Sequence, residues 1–258
     1  MRATLVFSIP LLVVAQAPAF AAPTCAARSG AVTVPLVELY TSEGCSSCPP
    51  ADRWFSGLAA SSDPKRLSLL GFHVDYWDDI GWPDRFASHA YTQRQDARVR
   101  AGGSATVYTP QIMFGARLDQ RWYHPQEVAA AIRTEQERPS RVGLSLSAHR
   151  QANLVLVEVR AMPLMPLPAS AQLFLAMYEN GLTSVVGAGE NRGVTLHHDR
   201  VVRGLWGPWP LTGVGRDLRI TPPGKATTTT LGLTAFVQDA RGETWQALSL
   251  PLTDCAAP

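Results

Sequence analysis

The sequence predicts an α/β domain followed by an all-β domain. Between residues 34 and 138, β-rich runs alternate with helical patterns in the order βαβαββα, which is typical of an α/β layer structure. After residue 141, helical periodicity is lost, and short alternating runs separated by Gly and Pro turns favour a β-sandwich. The composition, with 46% hydrophobic and 17% charged residues, fits an ordinary globular core.

In the first half, the expected strands cover residues 34–40, 67–74, 111–115 and 117–123. The expected helices cover residues 49–58 and 83–100, with a third helix opened by Pro125. Proline is tolerated in a first helical turn, and Gly102-Gly103 is a stop signal for the second helix.

In the second half, strands are expected at residues 142–147, 154–159, 171–178, 195–202, 231–237 and 244–250. The Arg138-Pro139-Ser140 segment marks the boundary between the two patterns. The predicted domains are therefore residues 23–138 and residues 141–255.

The first 22 residues read as a signal peptide. Arg2 precedes an apolar run at residues 5–15, and Ala19-Phe20-Ala21 gives the small-x-small pattern of a cleavage site. An uncleaved anchor is the alternative, although the run is short and interrupted for a membrane span. We therefore expect a periplasmic or secreted protein with no integral membrane segment after cleavage.

Charge and composition restrict the partners. The formal net charge of +2 gives no reason to expect nucleic acid or an anionic membrane as a partner. No dinucleotide or P-loop pattern is present, so no cofactor is predicted, and no complete set of metal ligands is visible.

The four cysteines fall into two pairs. Cys25 and Cys255 lie near the two ends of the mature chain, and an oxidising compartment makes a disulfide between them plausible. Two free or intermolecularly paired cysteines are the alternative.

The other pair, Cys45 and Cys48, is predicted between a strand and a helix. Unpaired N–H groups and the helix dipole at a helix N-terminus favour an anion, which lowers the pKa of a thiol. We expect a partly exposed Cys45 thiolate as nucleophile and Cys48 as the resolving thiol. Pro110, before the third strand, is expected to be a cis-proline that shapes a substrate groove, although proline is also allowed there for structural reasons alone.

These residues carry a family resemblance. The run VELYTSEGCSSCPPAD at residues 37–52 looks like the active-site strand and helix of glutaredoxin-like proteins. With HVDYWD at 73–78, YTPQ at 108–111 and GENRG at 189–193, it resembles the exported, uncharacterised domain-of-unknown-function 1223 family. The resemblance covers nearly all of the mature chain and implies a thioredoxin-like (glutaredoxin-like βαβαββα) fold, with no established substrate. Ser46-Ser47 stands where thioredoxin has Gly-Pro, and Pro49 where it has lysine, so no redox direction is transferred.

Polar residues follow the second predicted strand. Asp75 or His73 could move the proton of Cys48, or the carboxylates there, including Asp78 and Asp79, could cap the next helix. Glu43 could oppose thiolate formation at the dithiol. The two cysteines with His73 could also bind Cu(I) or Zn, but no fourth ligand is visible.

Three features of the second half are predicted to have no catalytic role. His197 and His198 are adjacent on a strand and point to opposite faces, so they are expected to form a surface and not a metal site. Trp206 and Trp209 fit either a partner-binding loop or a core. Residues 187–193 read as a turn-rich loop whose reactive groups are Glu190 and Arg192.

The sequence thus predicts an exported thiol–disulfide oxidoreductase-like protein acting on exported protein thiols or disulfides, or on a small thiol. The catalytic candidates are Cys45, Cys48, Pro110 and Asp75. The alternatives are a non-enzymatic secreted binding module with a structural disulfide, and a Cu(I)-handling protein.

Overall fold

The computed structural model describes residues 25–119, 122–151, 153–211, 215–224, 226–227 and 229–255. The predicted signal peptide lies outside these residues. Within the described part of the chain, no helix is long and apolar enough to cross a membrane.

The described residues form a mixed α/β structure. Three helices, α1 to α3, span Pro49–Ser61, His89–Ala101 and Pro125–Gln136. The strands β1 to β14 span, in order, Cys25–Arg28, Leu36–Thr41, Ser68–His73, Gln111–Phe114, Arg117–Asp119, Val142–Gln151, Leu154–Pro163, Gln172–Glu179, Leu182–Val185, Thr195–His198, Val201–Pro210, Gly215–Ile220, Leu231–Gln238 and Thr244–Pro251. Short 3-10 helices occur at Asp78–Ile80 and Leu252–Cys255.

One eight-stranded sheet passes through both predicted halves. Its strand order is β14-β13-β8-β11-β3-β2-β4-β5, so four strands of the first half continue directly into four strands of the second. The junction is the parallel pairing of β3 with β11, where Gly71 lies opposite Val201 and its N–H donates to the carbonyl of Arg200 at 2.8 Å. This differs from the expectation of a β-sandwich that stands apart from the α/β part. The reason is physical: β3 is buried throughout, and without β11 its edge would present unpaired backbone groups.

A sandwich-like layer is nevertheless present. The sheet β1-β6-β7-β12 packs over the second-half end of the large sheet. Its inward residues, such as Leu146 and Val159, share one core with Leu175, Leu233 and Leu250. The limits of the two predicted domains stay a prediction; what the structure adds is that their strands share a sheet.

The two ends of the described part of the chain are tied together. Cys25 and Cys255 form a disulfide with a Cα–Cα distance of 5.0 Å, so of the two alternatives left open by the sequence, the structure has the paired one. β1 then pairs with β6, and the N-terminal segment becomes part of the four-stranded sheet.

Several element boundaries differ from the prediction. Helix α2 begins at His89 and not near Pro83, because the Asp84 carboxylate accepts from the N–H of Phe86 and holds a turn there. The run predicted as one strand at 195–202 is split into β10 and β11 by Arg200, which has a positive φ of 58°. Strands β1, β9 and β12 were not predicted.

Candidate dithiol site

The Cys45-Ser46-Ser47-Cys48 segment lies between β2 and α1. Cys48 is the residue before the first helical residue, and its carbonyl accepts from the N–H groups of Ala51 and Asp52 at 2.9 and 3.1 Å. Cys45 and Cys48 are joined by a disulfide with a Cα–Cα distance of 5.4 Å. The sequence prediction of two cysteines at the turn from a strand into a helix matches this geometry.

The sulfurs are more enclosed than the sequence argument expects. Cys45 and Cys48 are both 0% exposed, whereas Ser46 and Ser47 between them are exposed. The Sγ of Cys45 lies 3.3 Å from the Ser47 hydroxyl and 3.8 Å from the Thr109 carbonyl oxygen. In the disulfide form, a partner must therefore move part of this cover to reach the sulfur.

The segment before β4 forms one wall of the site. The Thr109–Pro110 peptide bond is cis, as the sequence predicts. Trp77 donates its indole N–H to the Thr109 hydroxyl at 2.8 Å and packs closely on Gly44, where an added Cβ would lie 3.1 Å from the Trp77 Cβ. This close approach favours glycine at position 44, and Trp77 fixes the wall against the dithiol turn.

The helix N-terminus offers fewer donors than the sequence argument assumes. The first two residues of α1 are Pro49 and Pro50, and neither has an N–H. The N–H of Cys48 is already used, since it donates to the Cys45 carbonyl at 3.2 Å. Any thiolate at Cys45 is therefore stabilised chiefly by the remaining local groups, of which the Ser47 hydroxyl is the nearest described.

A loop from the second half of the chain lies against the dithiol turn. The buried amide of Asn191 donates to the carbonyl oxygens of Glu43 and Cys45, at 2.8 and 2.9 Å. The Glu190 carboxylate accepts from the N–H of Ser46 at 3.0 Å. The sequence predicts a turn-rich loop at residues 187–193 but gives no reason to place it at the dithiol. The one signal for such a role is the GENRG segment at residues 189–193, which shares the family resemblance with the dithiol segment.

Trp82 holds this loop in place. Its indole N–H donates to the Glu43 carboxylate at 2.8 Å, and its ring and backbone pack on Gly187 and Gly189. Gly189 has a φ of +70°, which favours glycine, and a Cβ there would also lie tightly, at 3.2 Å, against the Trp82 Cβ. The dithiol turn, the segment after β3 and the loop of the second half therefore form one connected unit.

Beneath the turn lies a buried polar cluster of five side chains. The His198 Nε2 is 3.3 Å from a Glu43 carboxylate oxygen, and its Nδ1 is 4.0 Å from the Asp52 carboxylate. The His73 Nδ1 is 2.6 Å from the Asp84 carboxylate, which also accepts from the N–H of Glu43 at 2.9 Å. The two imidazoles meet edge to face with ring centroids 4.8 Å apart. The cluster joins β3, β10, α1 and the dithiol turn.

The cluster perturbs the pKa values of its members in a consistent way. Burial raises the pKa of Asp52 above its usual range, since its imidazole neighbours only partly compensate. Burial alone would also raise the pKa of Asp84, but His73 outweighs it and holds that pKa below its usual range. Burial would lower the pKa of His73, yet Asp84 outweighs it and raises that pKa. Burial likewise opposes the charged form of Glu43, but hydrogen bonding involving His198 and Trp82 keeps its pKa below the ordinary value. Both shifts favour the charged forms of His73 and Asp84.

Asp75 lies in the segment after β3, and its carboxylate reaches side chains of α2. Its carboxylate accepts from the hydroxyl of Thr92 and lies 3.0 Å from the His89 Nδ1. Both partners are side chains, and no described side chain caps the first N–H groups of α2, so the capping role and the proton-transfer role of Asp75 both stay predictions. Asp78 has a comparable local role, since its carboxylate accepts from the N–H of Asp84 at 3.0 Å.

The histidine pair of β10 is divided between two environments. His197 is exposed and His198 is buried, as the alternation along a strand predicts. The expectation that both form a surface is wrong for His198, which belongs to the cluster under the dithiol.

Trp206 and Trp209 are half-buried against the large core, in agreement with the core alternative. Among the described residues, no group of three or more His, Cys, Asp or Glu side chains has the arrangement of a metal site.

Two solved structures resemble this one in fold. An X-ray crystal structure of a protein from Agrobacterium tumefaciens has 22% identity and a TM-score of 0.62, and the match covers 89% of this chain and 99% of that one. The structure of HBP35 of Porphyromonas gingivalis has 12% identity and a TM-score of 0.62, with 89% of this chain and 78% of that one covered. No curated protein matches the chain. The family model described as "Protein of unknown function (DUF1223)" matches residues 36–238, and the chain belongs to this family.

Proposed function

We propose that this protein is an exported thiol–disulfide oxidoreductase that acts through Cys45 and Cys48 on a thioredoxin-like arrangement of β2, α1, β3 and β4. The observation that carries the proposal is the place of the two cysteines, with paired sulfurs at the turn from a strand into a helix. The Thr109 carbonyl beside the Cys45 sulfur supports the prediction that the Pro110 segment shapes the substrate groove.

The proposed exchange moves two electrons. The Cys45 thiolate attacks one sulfur of a substrate disulfide, which forms a mixed disulfide and releases the other sulfur as a thiolate that takes up a proton. The Cys48 thiolate then attacks the Cys45 sulfur, which breaks the mixed disulfide and releases the second substrate thiol. The substrate disulfide is reduced to two thiols while Cys45–Cys48 is oxidised; the same steps in reverse oxidise a dithiol. The substrates are exported protein thiols or disulfides, or a small thiol.

Export is part of the proposal. It is supported by the signal-peptide pattern at residues 1–22 and by two disulfides, which persist in oxidising compartments.

The test compares wild type with Cys45→Ser and Cys48→Ser on a model disulfide substrate. We expect Cys45→Ser to abolish exchange and Cys48→Ser to accumulate a mixed disulfide at Cys45, detected by mass spectrometry. Cys25→Ser/Cys255→Ser is the matched control and should retain exchange while it is folded. Equal exchange by wild type and Cys45→Ser would refute the proposal.

The second candidate function is a binding module in which Cys45–Cys48 is a structural disulfide. The complete burial of both cysteines is the observation that favours it. After mild reduction, an active dithiol is alkylated first at Cys45, whereas a structural disulfide stays closed.

The Cu(I)-handling alternative rests on Cys45, Cys48 and His73, but the His73 Nδ1 already faces Asp84. Stoichiometric Cu(I) binding that Cys45→Ser removes would favour that alternative.

A further inference from the structure

Two residues of the second half touch the backbone of the dithiol turn itself. Glu190 accepts from the N–H of Ser46, the residue next to Cys45, and this contact is exposed to solvent. Asn191 is 6% exposed and donates to carbonyls on both sides of Gly44. The first contact places a negative charge beside Cys45, and the second fixes the path of the chain that encloses it.

The turn is short of groups that stabilise an anion. Pro49 and Pro50 contribute no N–H at the start of α1, and the N–H of Cys48 is bonded to the Cys45 carbonyl. Glu190 takes up the N–H of Ser46. The Glu190 carboxylate therefore adds like-charge repulsion at a turn where few donors are left to offset it.

We propose that Glu190 and Asn191 are positioning residues that restrain the reactivity of the dithiol: Asn191 holds the turn closed over the sulfurs, and Glu190 disfavours negative charge on Cys45. The inference rests on the proposed function and names how that site is regulated. The second half of the chain acts on the chemistry of the first half through the loop at 187–193, and a partner that displaces this loop activates the thiol.

The effect of Glu190 is separable from the other titratable groups near the turn. Glu43 in the turn, Asp52 on α1, His73 on β3, Asp84 before α2 and His198 on β10 all belong to the buried cluster. Glu190 is on the solvent side, and so is its loop neighbour Arg192. Substitution of Glu190 or Arg192 therefore removes no side chain of the buried cluster. A change in the titration of the Cys45 thiol in these variants is then due to the charge on the loop.

The first experiment measures iodoacetamide alkylation of Cys45 against pH. The protein is reduced by tris(2-carboxyethyl)phosphine, and the alkylated peptide is quantified by mass spectrometry. Glu190→Gln should speed alkylation at pH 7 by about threefold, the size expected for removal of one screened, solvent-exposed charge near the thiol, and should shift the pH midpoint downward. Arg192→Gln, which removes a charge of opposite sign from the same loop, is the matched control and should not speed alkylation. Equal rates for wild type and Glu190→Gln, or equal acceleration by both variants, would overturn the role of Glu190.

The second experiment measures the rate at which the Cys45–Cys48 disulfide is reduced by the same phosphine. Asn191→Ala should speed this reduction at least severalfold, because the turn loses both side-chain bonds that hold it. Folding is checked by near-UV circular dichroism. A folded Asn191→Ala protein that is reduced at the wild-type rate would refute the role of Asn191.

Different results would refute the proposed function and the inference about the loop. If wild type and all variants fail to exchange with disulfide substrates although the loop variants change alkylation and reduction as stated, the proposed function is wrong and the loop inference stands. If wild type exchanges disulfides and the loop variants leave both rates unchanged, the loop inference is wrong and the proposed function stands.

Discussion

The buried carboxylate of Glu38 gives a prediction with a defined magnitude. Glu38 is 1% exposed, and its two oxygens lie 2.7 Å from Arg94 and 3.6 Å from Arg98 of α2. It also accepts from the Gln238 amide of β13 at 3.0 Å, so the contact joins the two halves of the chain. Burial alone would raise the pKa of Glu38, but the two guanidinium groups outweigh it and lower the pKa from 4.5 to about 2.

The shift predicts how stability depends on pH. Because the folded-state pKa lies below the unfolded value, the stabilisation is complete above about pH 4.5 and is lost as the pH falls from there to about 2. A pKa difference of one corresponds to 1.36 kcal/mol, so the carboxylate contributes about 3 kcal/mol to the free energy of unfolding at neutral pH. Glu38→Gln should lose at least about this amount at pH 7, because two buried arginines then lack their counter-ion.

The assay is urea unfolding, followed by tryptophan fluorescence, at pH values from 7 to 2. Other carboxylates, such as Asp84, also contribute to the acid slope, so the informative quantity is the difference between wild type and Glu38→Gln. That difference should shrink by about 3 kcal/mol between pH 4.5 and pH 2. Glu158→Gln, at an exposed surface ion pair, is the matched control and should change stability by less than about 1 kcal/mol. A difference between wild type and Glu38→Gln that stays constant with pH would refute this reasoning.

Three further predictions concern the dithiol and its frame. Ser47→Ala should raise the pKa of the Cys45 thiol and slow its alkylation at pH 7 by about fivefold, because a hydroxyl donor to the sulfur is worth about 1 kcal/mol; an unchanged pH–rate profile would count against it. Replacement of both Cys25 and Cys255 by Ser should lower the free energy of unfolding by up to about 5 kcal/mol, since the bond closes a separation of 230 residues, and denaturant unfolding with and without the bond measures this. Asp75→Asn should leave the alkylation rate of Cys45 within about twofold of wild type, because His89 and Thr92 of α2 already contact both carboxylate oxygens of Asp75. A slower resolving step in this variant would instead support a role of Asp75 in proton transfer.

Local pattern was sufficient for much of the first half. The alternating apolar runs predict β2, β3 and β4, and the prolines at residues 49 and 125 mark the starts of α1 and α3. The dithiol follows from the spacing of Cys45 and Cys48 between a strand and a helix. Each of these features depends on residues close together in the sequence.

Contacts between residues far apart in the sequence could not be predicted from local patterns. The pairing of β3 with β11 joins residues about 130 apart, and strand patterns do not specify which edge a strand meets. Asn191 reaches the dithiol turn over a separation of 146 residues, and its role depends on a side-chain amide meeting two carbonyls. His198 was predicted to be on the surface, since nothing in its strand pattern reveals the carboxylates of Glu43 and Asp52 beneath the turn.

The reduction potential of Cys45–Cys48, measured by equilibration with glutathione, tests the proposed disulfide exchange most directly. We expect a reversible couple within the range of known oxidoreductases, about −270 to −120 mV, together with alkylation of Cys45 before Cys48 in the reduced form. A disulfide with a potential below about −300 mV, or one that cannot be opened in the folded protein, would refute the proposed exchange and make Cys45–Cys48 a structural bond.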